Sequence, residues 1–278
     1  MALPTPQSII EAIRTWDATS DVRSTYLAPT IDRLQATATP GLNGPVPPPE
    51  LSPEEIAQLI DHTQLKPTAS EADYTQCFEE AREYGFASVC VPTAYVPAAT
   101  KSLADTEVAI CTVVGFPLGH SHPEVKAAEA QWALQHGASE IDMVMHVGAA
   151  KAHDWTRVER DIQAVVDALR AEPGEPILKV ILETALLTNA EKAVACFVAD
   201  HAGADFVKTS TGFSTGGATV EDVALMRHIV GADLGVKASG GVGSATEVAE
   251  MVSHGATRIG ASGSVGIMKG MANPEATY

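Results

Sequence analysis

The sequence predicts an α/β protein, a (β/α)8 TIM barrel preceded by an N-terminal helical extension. Three observations lead there. Eight short apolar runs alternate with amphipathic stretches over about 210 residues, close to the usual length of such a barrel. The runs are continuously apolar rather than alternating, as strands are when both faces are covered. The first run, Ile60-Asp61-His62-Thr63, lacks the Gly-rich turn that opens a doubly wound sheet, the rival architecture.

The elements follow in order. Residues 1–39 form the N-terminal extension, loosely helical from Ser8 to about Leu34, either capping the main domain or joining a subunit interface. Residues 40–53 hold Pro40, Pro45, Pro47, Pro48, Pro49 and Pro53, which no helix interior or central strand tolerates, so they read as a semi-rigid linker. The barrel domain is expected over residues 54–270, beginning with a short helix N-capped by Ser52 with Pro53 in its first turn. The expected strands are Ile60–His62, Ser88–Val91, Val108–Val114, Glu140–Val144, Ile177–Leu182, Phe206–Lys208, Gly235–Ala238 and Arg258–Gly260. Breaks such as His136-Gly137-Ala138 and Ala202-Gly203-Ala204 precede them, and one-sided stripes such as Trp155, Val158, Ile162, Val165, Val166 and Leu169 mark the covering helices. Gly270, Asn273 and Pro274 make the end of the chain a poor helix, so residues 271–278 read as a flexible tail, whose Tyr278 is a candidate to fold over the barrel mouth.

Composition narrows the function. Eighteen basic against thirty-five acidic residues give a net charge of −17, which repels nucleic acid and anionic membranes. No apolar run reaches the ~18 residues of a membrane span. Cys77, Cys90, Cys111 and Cys196 form no CxxC pair, and no basic-then-apolar signal segment opens the chain. The expectation is a cytoplasmic protein with reduced thiols.

Barrel enzymes carry their chemistry at the C-terminal ends of strands. Most lysines here fall on helices or loops, where a solvated face is the default, but Lys179, Lys208 and Lys237 lie in three consecutive strands. A buried ammonium needs a partner, so the lysines are expected either to pair with carboxylates or to cluster near the mouth. A second positive charge or a dry pocket favours the neutral, nucleophilic amine, which forms imines with carbonyls. Asp142, in the otherwise apolar Glu140–Val144 run, is the candidate proton relay and a possible partner of Lys179. Small residues follow strands six to eight, as Thr209-Ser210-Thr211-Gly212, Ala238-Ser239-Gly240-Gly241 and Gly260-Ala261-Ser262-Gly263-Ser264, and permit backbone N–H groups to approach a phosphate.

These stretches resemble the deoxyribose-phosphate aldolase family. The resemblance is carried by Ile60-Asp61-His62-Thr63-Gln64-Leu65-Lys66-Pro67, Val89-Cys90-Val91-Pro92, Val113-Val114-Gly115-Phe116-Pro117-Leu118-Gly119 and Glu140-Ile141-Asp142-Met143-Val144. It continues through Lys179–Thr184, Phe206–Phe213, Gly235–Gly241 and Arg258–Ser262, in order over roughly residues 54–270. It implies a cofactor-free, metal-free class I aldolase that reversibly cleaves 2-deoxy-D-ribose 5-phosphate to D-glyceraldehyde 3-phosphate and acetaldehyde in deoxyribose phosphate catabolism. Under it, Lys208 looks like the Schiff-base nucleophile, Lys237 like the lysine that eases its deprotonation, and Asp142 like the proton donor and acceptor. The implied substrate-binding residues are Asp61, Thr63, Cys90, Lys179, Thr209, Gly212, Gly240, Gly241, Gly260 and Ser262. Gly263 departs from the family pattern, in which a second serine often stands there. The resemblance also implies partners limited to sugar phosphates and aldehydes, and a homo-oligomer, a dimer being favoured.

Two rivals remain at this stage. A metal-dependent aldolase would draw on His120, His122 and His146, although a site needs three converging ligands. A non-catalytic sugar-phosphate binder would have no use for the lysines and Asp142 together.

Overall fold

A computed structural model describes residues 5–36 and 46–270; Pro40 and Pro45 of the linker and the whole 271–278 tail, Tyr278 included, lie outside the described residues. The extension is three helical pieces: α1 (Pro6–Arg14), α2 (Ser20–Val22) running through a π-helical turn at Arg23–Leu27, and α3 (Ala28–Gln35). Next come α4 (Pro53–Ala57), β1 (Ile60–Thr63), α5 (Glu71–Tyr84), β2 (Ser88–Val91), α6 (Val96–Ser102), β3 (Ala109–Val114) and α7 (Pro123–Gln135). The chain continues as β4 (Glu140–Val144), α8 (Val147–Lys151), α9 (Trp155–Arg170), β5 (Ile177–Ile181), α10 (Asn189–His201), β6 (Phe206–Lys208), α11 (Val220–Val230), β7 (Gly235–Ser239), α12 (Ala245–Ser253), β8 (Arg258–Ala261) and α13 (Ser264–Met268).

All eight strands are parallel and pair in sequence order, and β8 closes on β1 with Gly260 opposite Asp61. The expected (β/α)8 barrel is therefore the fold. Strand ends differ from the sequence expectation by a residue: β1, β7 and β8 each run one further, and β5 stops at Ile181. The early stop has a local cause. Glu183 adopts a left-handed backbone (φ 58°) that no strand accommodates.

Local chemistry sets the helix starts. Ser52, Ser70 and Thr188 each close a capping box with an acidic residue three positions on, satisfying backbone N–H groups that a helix leaves open. At the other end of α5, Gly85 takes a left-handed turn (φ 65°) and passes the chain directly to β2. Along α9 the stripe Trp155, Val158, Ile162, Val165 and Leu169 is buried against the barrel wall, as its spacing predicts.

The extension packs on the outside of this wall. Ile9, Ile10, Ile13, Tyr26, Leu27 and Leu34 are buried and continuous with the main core. Trp16 stacks on His153 at 3.8 Å, and the Tyr26 hydroxyl donates to Glu159 at 2.5 Å. Arg33 lies over the Phe197 ring, pairs with Asp200 at 2.6 Å and donates to the Ile229 carbonyl at 3.0 Å. These contacts lay the extension over α9, α10 and α11.

One expectation fails. Lys126, on α7, is fully buried rather than solvated. Its ammonium donates to the Val144 carbonyl at 2.8 Å and to Asp161 on α9 at 2.7 Å. Its stem passes over Gly115, where a Cβ would stand 2.7 Å from Lys126 Cε. Burial pulls the Lys126 ammonium below its usual range and pushes Asp161 above its own, so each depends on the other. Asp161→Ala should destabilise the protein by about 3–5 kcal/mol, because it strands a buried amine, whereas the double change Lys126→Met with Asp161→Leu should cost far less. Denaturant unfolding of the single and double variants checks this, and equal losses would refute the pairing argument.

Candidate active site

Side chains alternate in and out along a strand, so each barrel strand sends every second residue to the axis. In β4 those residues are Glu140 and Asp142, in β1 Asp61 and Thr63, and in β5 to β8 Lys179, Lys208, Lys237 and Arg258. The register brings them level: Asp142 is opposite Lys179, and Lys208 is opposite Lys237, itself opposite Arg258. Four cationic side chains and three carboxylates thus share the barrel interior. None of the three lysines is more than 1% exposed.

Asp142 stands at the centre. Its Oδ2 accepts from Lys208 at 2.8 Å and from Lys237 at 2.7 Å, and its Oδ1 accepts from Lys179 at 2.9 Å and from the Cys111 thiol at 3.2 Å. Asp61 forms the next layer down: its Oδ2 pairs with Lys237, and its Oδ1 takes Arg258 at 2.6 Å and the Ser88 hydroxyl at 2.7 Å. Glu140 closes the network, pairing with Lys179 at 2.5 Å and Arg258 at 3.1 Å.

The electrostatics follow from this geometry. Burial alone would raise Asp142, but the ammoniums of Lys179, Lys208 and Lys237 overcome it and hold the carboxyl well below its usual range. Asp61 is likewise held down against burial, by Lys237, Lys179 and Arg258. Burial would lower Lys179 and Lys237, yet Asp142 and Asp61 keep both well above the ordinary lysine value. The Cys111 thiol is pushed up by burial and stays protonated, as a donor to Asp142 must.

The sequence-predicted residues sort accordingly. Lys208, Lys237, Asp142, Lys179 and Asp61 converge in one network. Cys90 lies beside it, its sulfur within 4.8 Å of the Cys111 sulfur and an Asp142 oxygen. Thr63 turns its hydroxyl back to the Asp61 carbonyl, and Thr209 spends its own on the β7 backbone at Ser239. Gly212, Gly240 and Gly241 all hold positive φ at the mouth, and Gly240 packs so closely on Gly217 that a Cβ on the latter would meet the Gly240 carbonyl at 2.3 Å. Gly260 and Ser262 follow at the end of β8 and just past it. Nearby, the buried hydroxyls of Ser210 and Ser239 have no hydrogen-bond partner among the described residues.

Sequence reasoning missed Glu140, Arg258, Ser88 and Cys111. The available signal was the one used for Asp142, a charged residue in an apolar strand, and Glu140 and Arg258 carry it at strand starts where it reads as a boundary. Of the histidines considered as metal ligands, His122 caps α7 and the His120 and His146 rings stand 6.0 Å apart, with no third ligand joining them among the described residues. The donor sets that do converge, Cys90–Cys111–Asp142 and Asp61–Cys111–Glu140, already accept from Lys179, Lys208, Lys237 and Arg258.

Known proteins resemble this chain in sequence and in fold. A family model described as DeoC/LacD family aldolase matches residues 55–272. The deoxyribose-phosphate aldolase of Enterococcus faecalis is 56% identical over 216 residues, covering 78% of this chain and 97% of that protein. That of Streptococcus gordonii is 56% identical over 78% of this chain and 96% of its own. Among solved structures, a provisionally assigned deoxyribose-phosphate aldolase from Coccidioides immitis aligns over 97% of this chain and 98% of its own, with a TM-score of 0.78 and 38% identity. The Aeropyrum pernix deoxyribose phosphate aldolase, described as a tetramer, aligns over 91% of this chain and 97% of its own, at a TM-score of 0.73 and 32% identity. With the family model spanning the barrel and over half of the aligned residues shared with these relatives, the chain belongs to the DeoC/LacD aldolases and, among them, to the deoxyribose-phosphate aldolases.

Proposed function

We propose that this aldolase cleaves 2-deoxy-D-ribose 5-phosphate through an imine on Lys208, within deoxyribose phosphate catabolism. The observation that supports this most is Asp142 Oδ2, one buried carboxylate oxygen shared by two lysine ammoniums. Four cations facing three carboxylates leave one positive charge in excess (4 − 3 = 1), and giving up one proton relieves it. Lys179 contacts three of those carboxylates and Lys237 two, whereas Lys208 contacts Asp142 alone among the described residues. Deprotonating Lys208 therefore breaks the fewest ion contacts. That supports Lys208 as the nucleophile, beside the resemblance.

In the reaction, the Lys208 amine adds to the C1 aldehyde of the open-chain sugar and water leaves, giving a protonated imine. Removal of the C3 hydroxyl proton then breaks the C2–C3 bond, releasing D-glyceraldehyde 3-phosphate and leaving an enamine on Lys208. Protonation at C2 and hydrolysis release acetaldehyde and restore the amine. Asp142, within hydrogen-bond reach of Lys208, carries the protons. Lys237 remains a fixed positive charge beside both. Asp61, Thr63, Cys90, Lys179 and Thr209 shape the pocket, while Gly212, Gly240, Gly241, Gly260 and Ser262 offer small, open backbone for the phosphate. The chemistry needs no metal or organic cofactor.

The working protein is taken as a cytoplasmic homo-oligomer, with a dimer as the first form to test. The buried free state of all four cysteines supports a reducing compartment, and the tetrameric Aeropyrum pernix relative supports assembly.

Lys208→Ala should abolish cleavage with the fold retained by circular dichroism. Borohydride reduction in the presence of substrate should leave a two-carbon adduct on Lys208 by mass spectrometry; an adduct on Lys237 would reverse the assignment. Lys237→Leu should slow the reaction and change its pH dependence. Removing a neighbouring positive charge makes an ammonium harder to deprotonate, so the acidic limb of the pH–rate profile should move to higher pH. An unmoved limb would remove Lys237 from that role.

A further inference from the structure

A left-handed backbone is costly for any residue but glycine and persists where the surroundings hold it. Among the described residues His153, Glu175 and Glu183 adopt one, and of these three only Glu183 is buried. Its neighbours on both sides stay tied to β6. The Leu182 N–H donates to the Lys208 carbonyl and the Thr184 N–H to the Thr209 carbonyl, each at 2.9 Å. Between them the turn at Glu183 (φ 58°, ψ 62°) brings its carboxyl to Thr211, the third residue beyond Lys208.

There the carboxyl makes a clamp. The Thr211 N–H donates to Oε1 at 3.4 Å and to Oε2 at 3.3 Å, and the Thr211 hydroxyl donates to Oε2 at 2.5 Å. The same hydroxyl accepts from the Phe213 N–H at 3.0 Å. Both members are nearly sealed from solvent, Glu183 at 3% exposure and Thr211 at 1%. Burial pushes the Glu183 carboxyl up, and the Thr211 donors and the Lys208 charge pull it part of the way back.

The clamp decides which donors of the turn remain. The N–H groups of Thr211 and Phe213 are spent within it, while that of Gly212, between them, bonds to nothing among the described residues. Gly212 holds φ 85°, a conformation that side chains rarely permit. Beside the clamp the buried Ser210 hydroxyl also has no partner among the described residues. Donors left over at fixed places on a turn are what an anion's oxygens require.

We infer that Glu183 is a positioning residue for the substrate's phosphate: acting through Thr211, it fixes the 211–213 turn so that Gly212 offers its N–H to the anion, and so sets the preference for a phosphorylated sugar. The inference deepens the function proposed above and rests on its phosphate turn at Gly212. The Glu183 carboxyl stays on Thr211 throughout and takes no part in bond making.

The test compares cleavage of 2-deoxyribose 5-phosphate and of unphosphorylated 2-deoxyribose by the full chain and by Glu183→Ala. Losing one well-placed hydrogen bond to a charged group corresponds to about tenfold, so the ratio of the two kcat/KM values should fall by about that factor. The fall should come through KM for the phosphorylated sugar, as loss of binding common to ground and transition states does. Glu183→Gln keeps an oxygen, though a neutral one, for Thr211 to donate to, and should return the ratio to within about threefold. Thr211→Val keeps the side-chain shape, removes the hydroxyl and should lower the ratio in the same direction. It decides the matter where circular dichroism shows Glu183→Ala unfolded. An unchanged ratio in the folded variants overturns the proposal, as does a loss carried by kcat equally for both sugars.

Inorganic phosphate gives a measurement that needs no catalysis. Calorimetry should find it bound about tenfold more weakly by Glu183→Ala than by the unsubstituted chain, and equal binding overturns the proposal. Failure of the parent reading shows separately. An unsubstituted chain that cleaves neither sugar, or carries no adduct on Lys208 after borohydride, refutes the imine mechanism, and the phosphate titration still decides the role of Glu183.

Discussion

The ion contacts of Asp142 are the constraint around which the barrel interior is arranged. One carboxylate receives three lysines, and its removal would leave Lys208 without an ion partner among the described residues. Ionised groups this far from water persist only in company. Asp61, Glu140 and Arg258 extend the network below Asp142 and share its charge among more partners. Four cations and three carboxylates lie within this one buried network, where their mutual attraction is little screened.

Barrel geometry is what makes the network possible. Eight closed parallel strands bring residues separated by up to 197 positions, such as Asp61 and Arg258, within hydrogen-bond distance. The two-residue alternation then decides which side of the wall each occupies. Small residues at the strand starts leave space for large ones: a Cβ at Gly235 would stand 2.0 Å from the Phe206 ring, so Phe206 packs there only because Gly235 carries none. Above this floor a small apolar group, Leu65, Cys90, Cys111 and Val113, packs beside the charged network, with Phe116 against it.

Outside the barrel, two further devices steady the wall. The Lys126 ammonium ties α7 to α9 and to the end of β4, two residues beyond Asp142. The N-terminal extension lies over α9, α10 and α11 on the outside of the wall. The site itself is held by short strands and the loops after them.

Much of this was legible in the sequence. Periodicity and turn chemistry gave away the eight β-then-α units, since a one-sided helix stripe and a continuously apolar strand each have one stable setting. Lys179, Lys208, Lys237 and Asp142 stood out because a charge in a buried strand is costly and needs a reason. What the sequence could not carry was distance. Nothing in it distinguishes Lys208, with one carboxylate partner, from Lys237, with two, because that difference comes from Asp61 and Asp142 on two other strands. Glu140, Arg258 and Cys111 were missed for the same cause, and Lys126 looked like any helix lysine until α9 supplied Asp161. Local propensity and patterning are written residue by residue and so determined the elements; burial, ion pairing and the shape of the mouth depend on which residues closure brings together, and only the tertiary structure decides that.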